Sequence, residues 1–169
     1  MNKKKLLKVL NDLNYQLFKE KVLGEICVVG GAAMVLCFQA REATKDIDAI
    51  FEPSSIIRKA AKKVAKLNNL PVDWLNDGVK GFLPKEVLEK KLLLDLNNLK
   101  VWSPSAKYLL AMKSISARFD SNDGADVRFL INHLKLKNSK KVFNIICDYY
   151  PKKLIPPKTI FFIEEIFEE

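Results

Sequence analysis

Residues 25–51 read EICVVGGAAMVLCFQAREATKDIDAIF, and this stretch decides the fold. The β-prone run EICVV stops at Gly30-Gly31, and the apolar AAMVLCF behind it predicts a buried segment, most simply a helix. DIDAIF, residues 46–51, then predicts a second strand. Fourteen residues lie between Gly31 and Asp46, room for one helix that returns the chain. The second strand is therefore expected beside the first, with its carboxylates near the glycine turn.

Outward from this unit, Leu6, Leu10, Leu13 and Leu17 recur at helical spacing and predict an amphipathic helix over 3–22 that Gly24 ends. Pro53 and Ser54 supply a turn and cap for a basic helix over 55–67, with Ile56, Ile57, Ala60, Val64 and Leu67 inward. Residues 71–75 fit either a short strand or the entry to a helix, and Asn76-Asp77-Gly78 signals a turn. Strands at 91–96 and 99–102 flank Asn97-Asn98 and predict a hairpin. Ser103-Pro104 predicts the start of a helix whose apolar positions include Tyr108, Leu109, Met112, Ile115 and Phe119. Helices over 123–135 and 139–149 come next. Pro151, Pro156 and Pro157 then break the chain before an acidic tail whose Phe161, Phe162, Ile166 and Phe167 are expected to pack on the body. The class is α/β (α+β): a small mixed sheet flanked by helices over 1–102, and a C-terminal helical part over 103–169.

Composition bounds the function. With 49% hydrophobic and 29% charged residues in 169, the chain is globular rather than disordered. The apolar run from Ile26 to Phe38 falls short of the ~20 residues that cross a membrane. The start, MNKKKLLKVL, enters a periodic helix with no cleavable apolar core, so a cytoplasmic protein without membrane contact is expected. Cys27, Cys37 and Cys147 form no CxxC pair and read as reduced thiols in a core. His133 is the only histidine, which leaves zinc sites and Ser-His-Asp chemistry with almost nothing to use, so any metal is a hard one held by carboxylates. The net charge of +9 favours polyanions: nucleotide phosphates, RNA or an acidic protein. A solvated lysine-rich surface is the plain alternative.

Asp46 and Asp48 flank one residue of the expected second strand, so both carboxylates leave one face, their bases about 6 to 7 Å apart. A divalent cation between them relieves the repulsion, and oxygen ligands suit Mg2+ or Mn2+ shared with the phosphates of a nucleotide. Glycines let backbone approach a phosphate closely. Glycine turn and acidic strand thus read as halves of one site.

The pattern resembles the nucleotidyltransferase fold superfamily, on VVGGAAMVL (28–36) and REATKDIDAIF (41–51). Arg41, Thr44, Asp46 and Asp48 are similar to the Arg-x-x-Thr-x-Asp-x-Asp segment of its bacterial branch related to abortive-infection and toxin-antitoxin nucleotidyltransferases. SPSAKYLLAMKSISAR (103–118), with Asp123 and Asp126 after it, is similar to that branch's Ser-Pro-x-x-Leu-Leu-x-x-Lys segment and later acidic helix. The resemblance implies that Gly30, Gly31, Arg41 and Thr44 bind nucleotide and that Asp46 and Asp48 hold the metal. Lys113 would reach the triphosphate, and Asp126 would orient that lysine or assist the acceptor. A third carboxylate is Asp73 or Asp95, or is missing; Asp73 is favoured because Trp74, Asn76 and Asp77 also fit the branch. The resemblance thus implies an NTP-dependent, magnesium-requiring nucleotidyltransferase whose acceptor hydroxyl belongs to RNA or tRNA, with a toxin or phage-defence role and a cognate antitoxin as partner. A catalytically inactive module that keeps the fold and binds nucleotide, RNA or protein is the alternative.

Overall fold

A computed structural model describes residues 1–82, 89–116 and 122–168 of the chain. It divides into two compact units, one of residues 1–81 and 90–104, the other built mainly from Ser105 onward. Phe119, expected on the apolar face of a helix, lies outside the described residues.

In the first unit, α1 (Lys3–Lys19) opens on Asn2, whose side chain accepts the Lys5 N–H at 2.9 Å. It ends earlier than expected, because Glu20 caps it and Lys21 turns left-handed at φ 55°. Gly24 is instead the first residue of β1 (Gly24–Val28). After β1 comes α2 (Gly30–Ala33), which runs into a π-helical turn, Met34–Phe38, and stops at Gln39 with φ 52°. β2 (Ile47–Glu52), α3 (Ser54–Asn68), the two-residue β3 (Leu75–Asn76), β4 (Lys90–Asp95) and β5 (Leu99–Pro104) complete the unit. The sheet order is β3-β2-β1-β5-β4. It is mixed: β1 runs antiparallel to β2 and parallel to β5, β2 and β3 are parallel, and β4 and β5 are antiparallel.

Alternation along the strands sends Ile26, Val28, Ile47, Ala49, Phe51, Leu99 and Val101 into the core. α1 and α3 pack on one another and against the strands, adding Leu6, Leu10, Leu13 and Leu17 from one and Ile57, Ala60, Ala61 and Val64 from the other. Two details of α3 differ from the sequence expectation. Ser54 does not cap it; Pro53 occupies the cap position without a side-chain bond, and the Glu52 carboxylate accepts the Ser54 N–H at 3.1 Å. Leu67 is 68% exposed, because Ala61 and Ala65 take the inward stripe and position 67 falls to its side.

Residues 71–74 form a turn rather than a helix entry, with the Trp74 N–H donating to the Pro71 carbonyl. The Trp74 indole donates to the Ala61 carbonyl at 2.9 Å and ties that turn to α3. Asn97-Asn98 makes the expected two-residue hairpin turn between the paired Leu96 and Leu99 backbones.

In the second unit, α4 (Ala106–Ser116), α5 (Asp123–His133), α6 (Ser139–Tyr149) and α7 (Pro157–Glu168) occur in that order. Ser103 and Pro104 complete β5 instead of opening α4; Ser105 serves as the cap, its hydroxyl accepting the Tyr108 N–H at 3.3 Å. α4 packs on α5 and α6, and α6 on α7. The tail does pack, but through Thr159, which donates to the Ser114 carbonyl at 2.7 Å, and the fully buried Ile163. Phe161 is exposed, and Phe162 is half-buried beneath the Arg128 guanidinium. The cysteines are free, but only Cys27 and Cys37 are partly covered, and Cys147 is exposed rather than in a core. Burial pushes the Cys27 thiol up to about 11 and raises Cys37 as well. Among the described residues, no helix is long and apolar enough to cross a membrane.

The stripe on α3 makes a contrast that urea denaturation reads directly. Leu67→Ala should change stability by less than about 0.5 kcal/mol, whereas Ala61→Leu, which overfills a buried position of the inward stripe, should cost about 1–3 kcal/mol.

Candidate active site

β1 and β2 meet in a register that pairs Val28 with Ala49, and one step on the Val29 N–H donates to the Asp48 carbonyl at 2.9 Å. The chain must leave β1 there without striking β2. Gly30 does so at φ +57°, a conformation costly to residues with a Cβ. A Cβ at Gly30 would also lie 2.8 Å from Asp48 Oδ2. The Asp48 carboxylate therefore rests directly against the glycine turn.

Gly31 is packed from the other side. A Cβ there would lie 2.5 Å from Thr44 Oγ1 and 3.3 Å from Arg41 Nη1. Thr44 Oγ1 donates in turn to the Asp46 carbonyl at 3.2 Å. The segment bearing Arg41 and Thr44 has no regular structure of its own and is held by the chain's first residues. The Thr44 N–H donates to the Met1 carbonyl at 3.0 Å, the Met1 ammonium donates to the Thr44 carbonyl, and Asn2 bridges to Ala43. Gly30, Gly31, Arg41, Thr44 and Asp48 are thus one contact chain.

Asp46 departs from the expectation in one respect. β2 begins at Ile47, leaving Asp46 in the bend just before the strand. Both aspartates are half-buried, and Asp48 shares its face of β2 with Ile50 and Glu52. β3 lies in register alongside, with Asn76 opposite Asp48, so the amide joins the carboxylate's face of the sheet. The sequence marks Asn76 as a turn residue and as part of a branch-like stretch, but not as a neighbour of Asp48; it does serve the turn, its Oδ1 accepting the Gly78 N–H at 3.1 Å.

Neither candidate for a third carboxylate joins the pair. Asp73 is exposed in the turn before β3. Asp95 ends β4 at the far edge of the sheet, in a row that runs through Lys100 and Glu25 to Glu52, away from Asp48. Among the described residues, no three His, Cys, Asp or Glu side chains gather as a metal cage. What remains is the Asp48 carboxylate beside a backbone cleared of Cβ atoms, with Asp46 two residues before it in the bend that leads into β2. Carboxylate oxygen of this kind fits magnesium, which is commonly bound by one or two carboxylates with phosphate and water oxygens completing the shell.

The remaining expected residues stand in the second unit. Lys113 is 4% exposed, its Nζ 2.6 Å from Asp126 Oδ2 and 3.1 Å from Asp123 Oδ1. Asp126 is 2% exposed. Buried charges persist only when matched, so the three side chains form one electrostatic unit between α4 and α5. The sequence marks Asp123 only as part of an acidic helix; its contact with Lys113 arises from the packing of that helix on α4.

A family model described as a nucleotidyltransferase of unknown function, DUF6036, matches residues 4–150. The chain belongs to this family. The DUF6036 match takes in the glycine turn, both aspartates around the start of β2 and the Lys113 cluster, and stops before α7. It bears on the nucleotidyltransferase resemblance as a whole, not on the abortive-infection branch. No curated protein and no solved structure matches the chain.

Two predictions test this architecture of the DUF6036 chain. Gly31→Ala should destabilise it by about 1–3 kcal/mol, and Thr44→Ala in the same chain should recover part of that loss. The resulting coupling should be at least about 0.5 kcal/mol in a double-mutant cycle. Lys113→Ala strands Asp126 and should cost about 3–5 kcal/mol, while Lys113→Met combined with Asp126→Leu should recover most of it. Both are read as shifts in denaturation midpoint.

Proposed function

We propose that this chain is a metal-dependent nucleotidyltransferase that moves a nucleoside monophosphate from an NTP to a hydroxyl of RNA or tRNA. The observation that carries the reading is the Asp48 carboxylate lying against Gly30, with Arg41 and Thr44 packed behind Gly31. In the reaction the acceptor oxygen bonds to the α-phosphorus. The bond from that phosphorus to the bridging oxygen breaks, and pyrophosphate leaves with the electron pair. The acceptor's proton passes to solvent.

Asp46 and Asp48 would hold magnesium or manganese, which supplies charge neutralisation at the phosphate oxygens. The chain supplies position. Gly30 and Gly31 offer backbone that phosphate oxygens can approach closely, and Arg41 offers a planar fork suited to phosphate. Asn76, beside Asp48 on the sheet, is an added candidate for orienting the donor. Roles for Lys113 and Asp126 in the reaction rest on the family resemblance, as does a toxin or phage-defence setting with an antitoxin partner in the cytoplasm. One observation favours a second reading, a nucleotide-binding module without activity: among the described residues no three His, Cys, Asp or Glu side chains gather to hold a metal.

Incubating the chain with each labelled NTP, magnesium and total RNA separates the readings. Wild type should label RNA and release pyrophosphate, while Asp46→Asn and Asp48→Asn should each lose about 100-fold or more. Equal labelling by all three would remove these residues from the reaction; nucleotide binding without pyrophosphate release would select the inactive module. Growth arrest on expression that vanishes with Asp48→Ala would support the toxin setting.

A further inference from the structure

The proposed function leaves the acceptor without a seat, and the first unit has a surface suited to one. Beside the glycine turn is an open groove of about 430 Å³, lined by Asn2, Lys3, Lys4, Val35, Arg41 and Glu42 among others. It is built by the contacts that hold the Arg41–Thr44 segment against residues 1 and 2, since the Asn2–Ala43 bridge brings the start of α1 alongside that segment. Lys3 and Lys4 are exposed there. Elsewhere in this unit several basic residues are matched locally: Lys8 by Asp12, Lys63 by Glu20, Arg58 by Asp77, Lys90 by Glu25. At the groove the exposed Lys3 and Lys4 outnumber Glu42, the acid in its lining.

Arg41 connects the two places, because it lines the groove and also packs against Gly31. A strand lying along the groove would therefore arrive next to the turn on which Asp48 rests. Among the lining residues there is no aromatic ring on which a base could stack, so contacts to the backbone would dominate and sequence would matter little. An open trough with a surplus of cations suits a chain of phosphates passing through it, where a single nucleotide would call for an enclosed pocket.

We propose that this groove binds the phosphodiester backbone of a polynucleotide acceptor and leads it to Asp46 and Asp48. The proposal rests on the nucleotidyltransferase reading for its destination, but the binding itself can be measured without catalysis.

The test uses the full chain and a short fluorescent single-stranded RNA, with anisotropy measured at several salt concentrations. Lys3→Glu with Lys4→Glu should weaken binding at least about 10-fold and flatten the salt dependence by about 1.4, two phosphate contacts at roughly 0.7 each. Acidic residues at a helix start are favourable, so this variant should fold. Lys59→Glu with Lys62→Glu on α3 makes the same change in net charge and should leave affinity near wild type. The proposal is overturned if the Lys3/Lys4 variant binds RNA as wild type does, or if the α3 variant weakens binding equally, which would make the effect one of total charge. Displacement of the RNA by poly-glutamate at equal charge would also overturn it, in favour of an acidic protein partner. Asp48→Asn keeps the two ideas apart: it should lower labelling about 100-fold or more yet retain RNA affinity, and full labelling by that variant would defeat the catalytic reading while leaving the groove intact.

Discussion

The close approach of Gly30 to Asp48 is the constraint on which the rest of the first unit depends. Two antiparallel strands, β1 and β2, are hydrogen-bonded out to Val29 and Asp48, so the chain leaving β1 has no lateral room. A Cβ at position 30 would lie 2.8 Å from a carboxylate oxygen of Asp48, closer than real Cβ atoms approach. Absence of a Cβ is thus required by packing and by the left-handed backbone at once. An acidic group held against bare backbone at the end of a strand is also what a phosphate and its cation can use. Structural and chemical demands on this turn point to the same residue.

Periodicity and turn chemistry make much of this readable from residue order alone. The alternation in DIDAIF determines which side of β2 is buried, and Asn97-Asn98 determines the β4–β5 register, because both are local properties of backbone geometry. Element ends are harder, since they depend on partners distant in sequence. β2 starts at Ile47 rather than Asp46 where the Ile47 N–H meets the Trp74 carbonyl at 2.6 Å, a bond that no pattern within 46–51 encodes. Leu67 misleads for a related reason: on a helix with several alanines inward, a large apolar residue can sit outside the stripe. Asn76 escapes notice as a neighbour of Asp48 because parallel pairing of a two-residue strand leaves almost no hydropathy signal.

The charged residues divide by environment in a way that composition does not reveal. Several lysines of the first unit are surface groups paired with a carboxylate, such as Lys8–Asp12 at 58% and 32% exposure, and each such pair contributes little. Lys113 belongs to another class. With its ammonium buried against Asp126 and Asp123, removal of solvent makes the match obligatory, and loss of one partner leaves an uncompensated charge. A sequence reading treats both kinds of lysine alike, yet one sets the character of a surface and the other fixes how α4 and α5 pack.

The π-helical turn at Met34–Phe38 explains how the glycine turn and the groove come to share Arg41. A π turn carries an extra residue relative to an α-helix, which rotates the chain beyond it and commonly marks functional positions. Here the Ala40 N–H reaches back to the Met34 carbonyl, and Gln39 turns left-handed, so the helix stops abruptly. The chain is thereby directed into the irregular segment that places Arg41 and Thr44 against Gly31 and Ala43 against Asn2. A regular helix continued through these residues would keep its own hydrogen bonds and carry position 41 along its axis, away from the turn it left. Shortening the helix therefore brings a guanidinium back to the glycines, and the same return closes the groove beside α1.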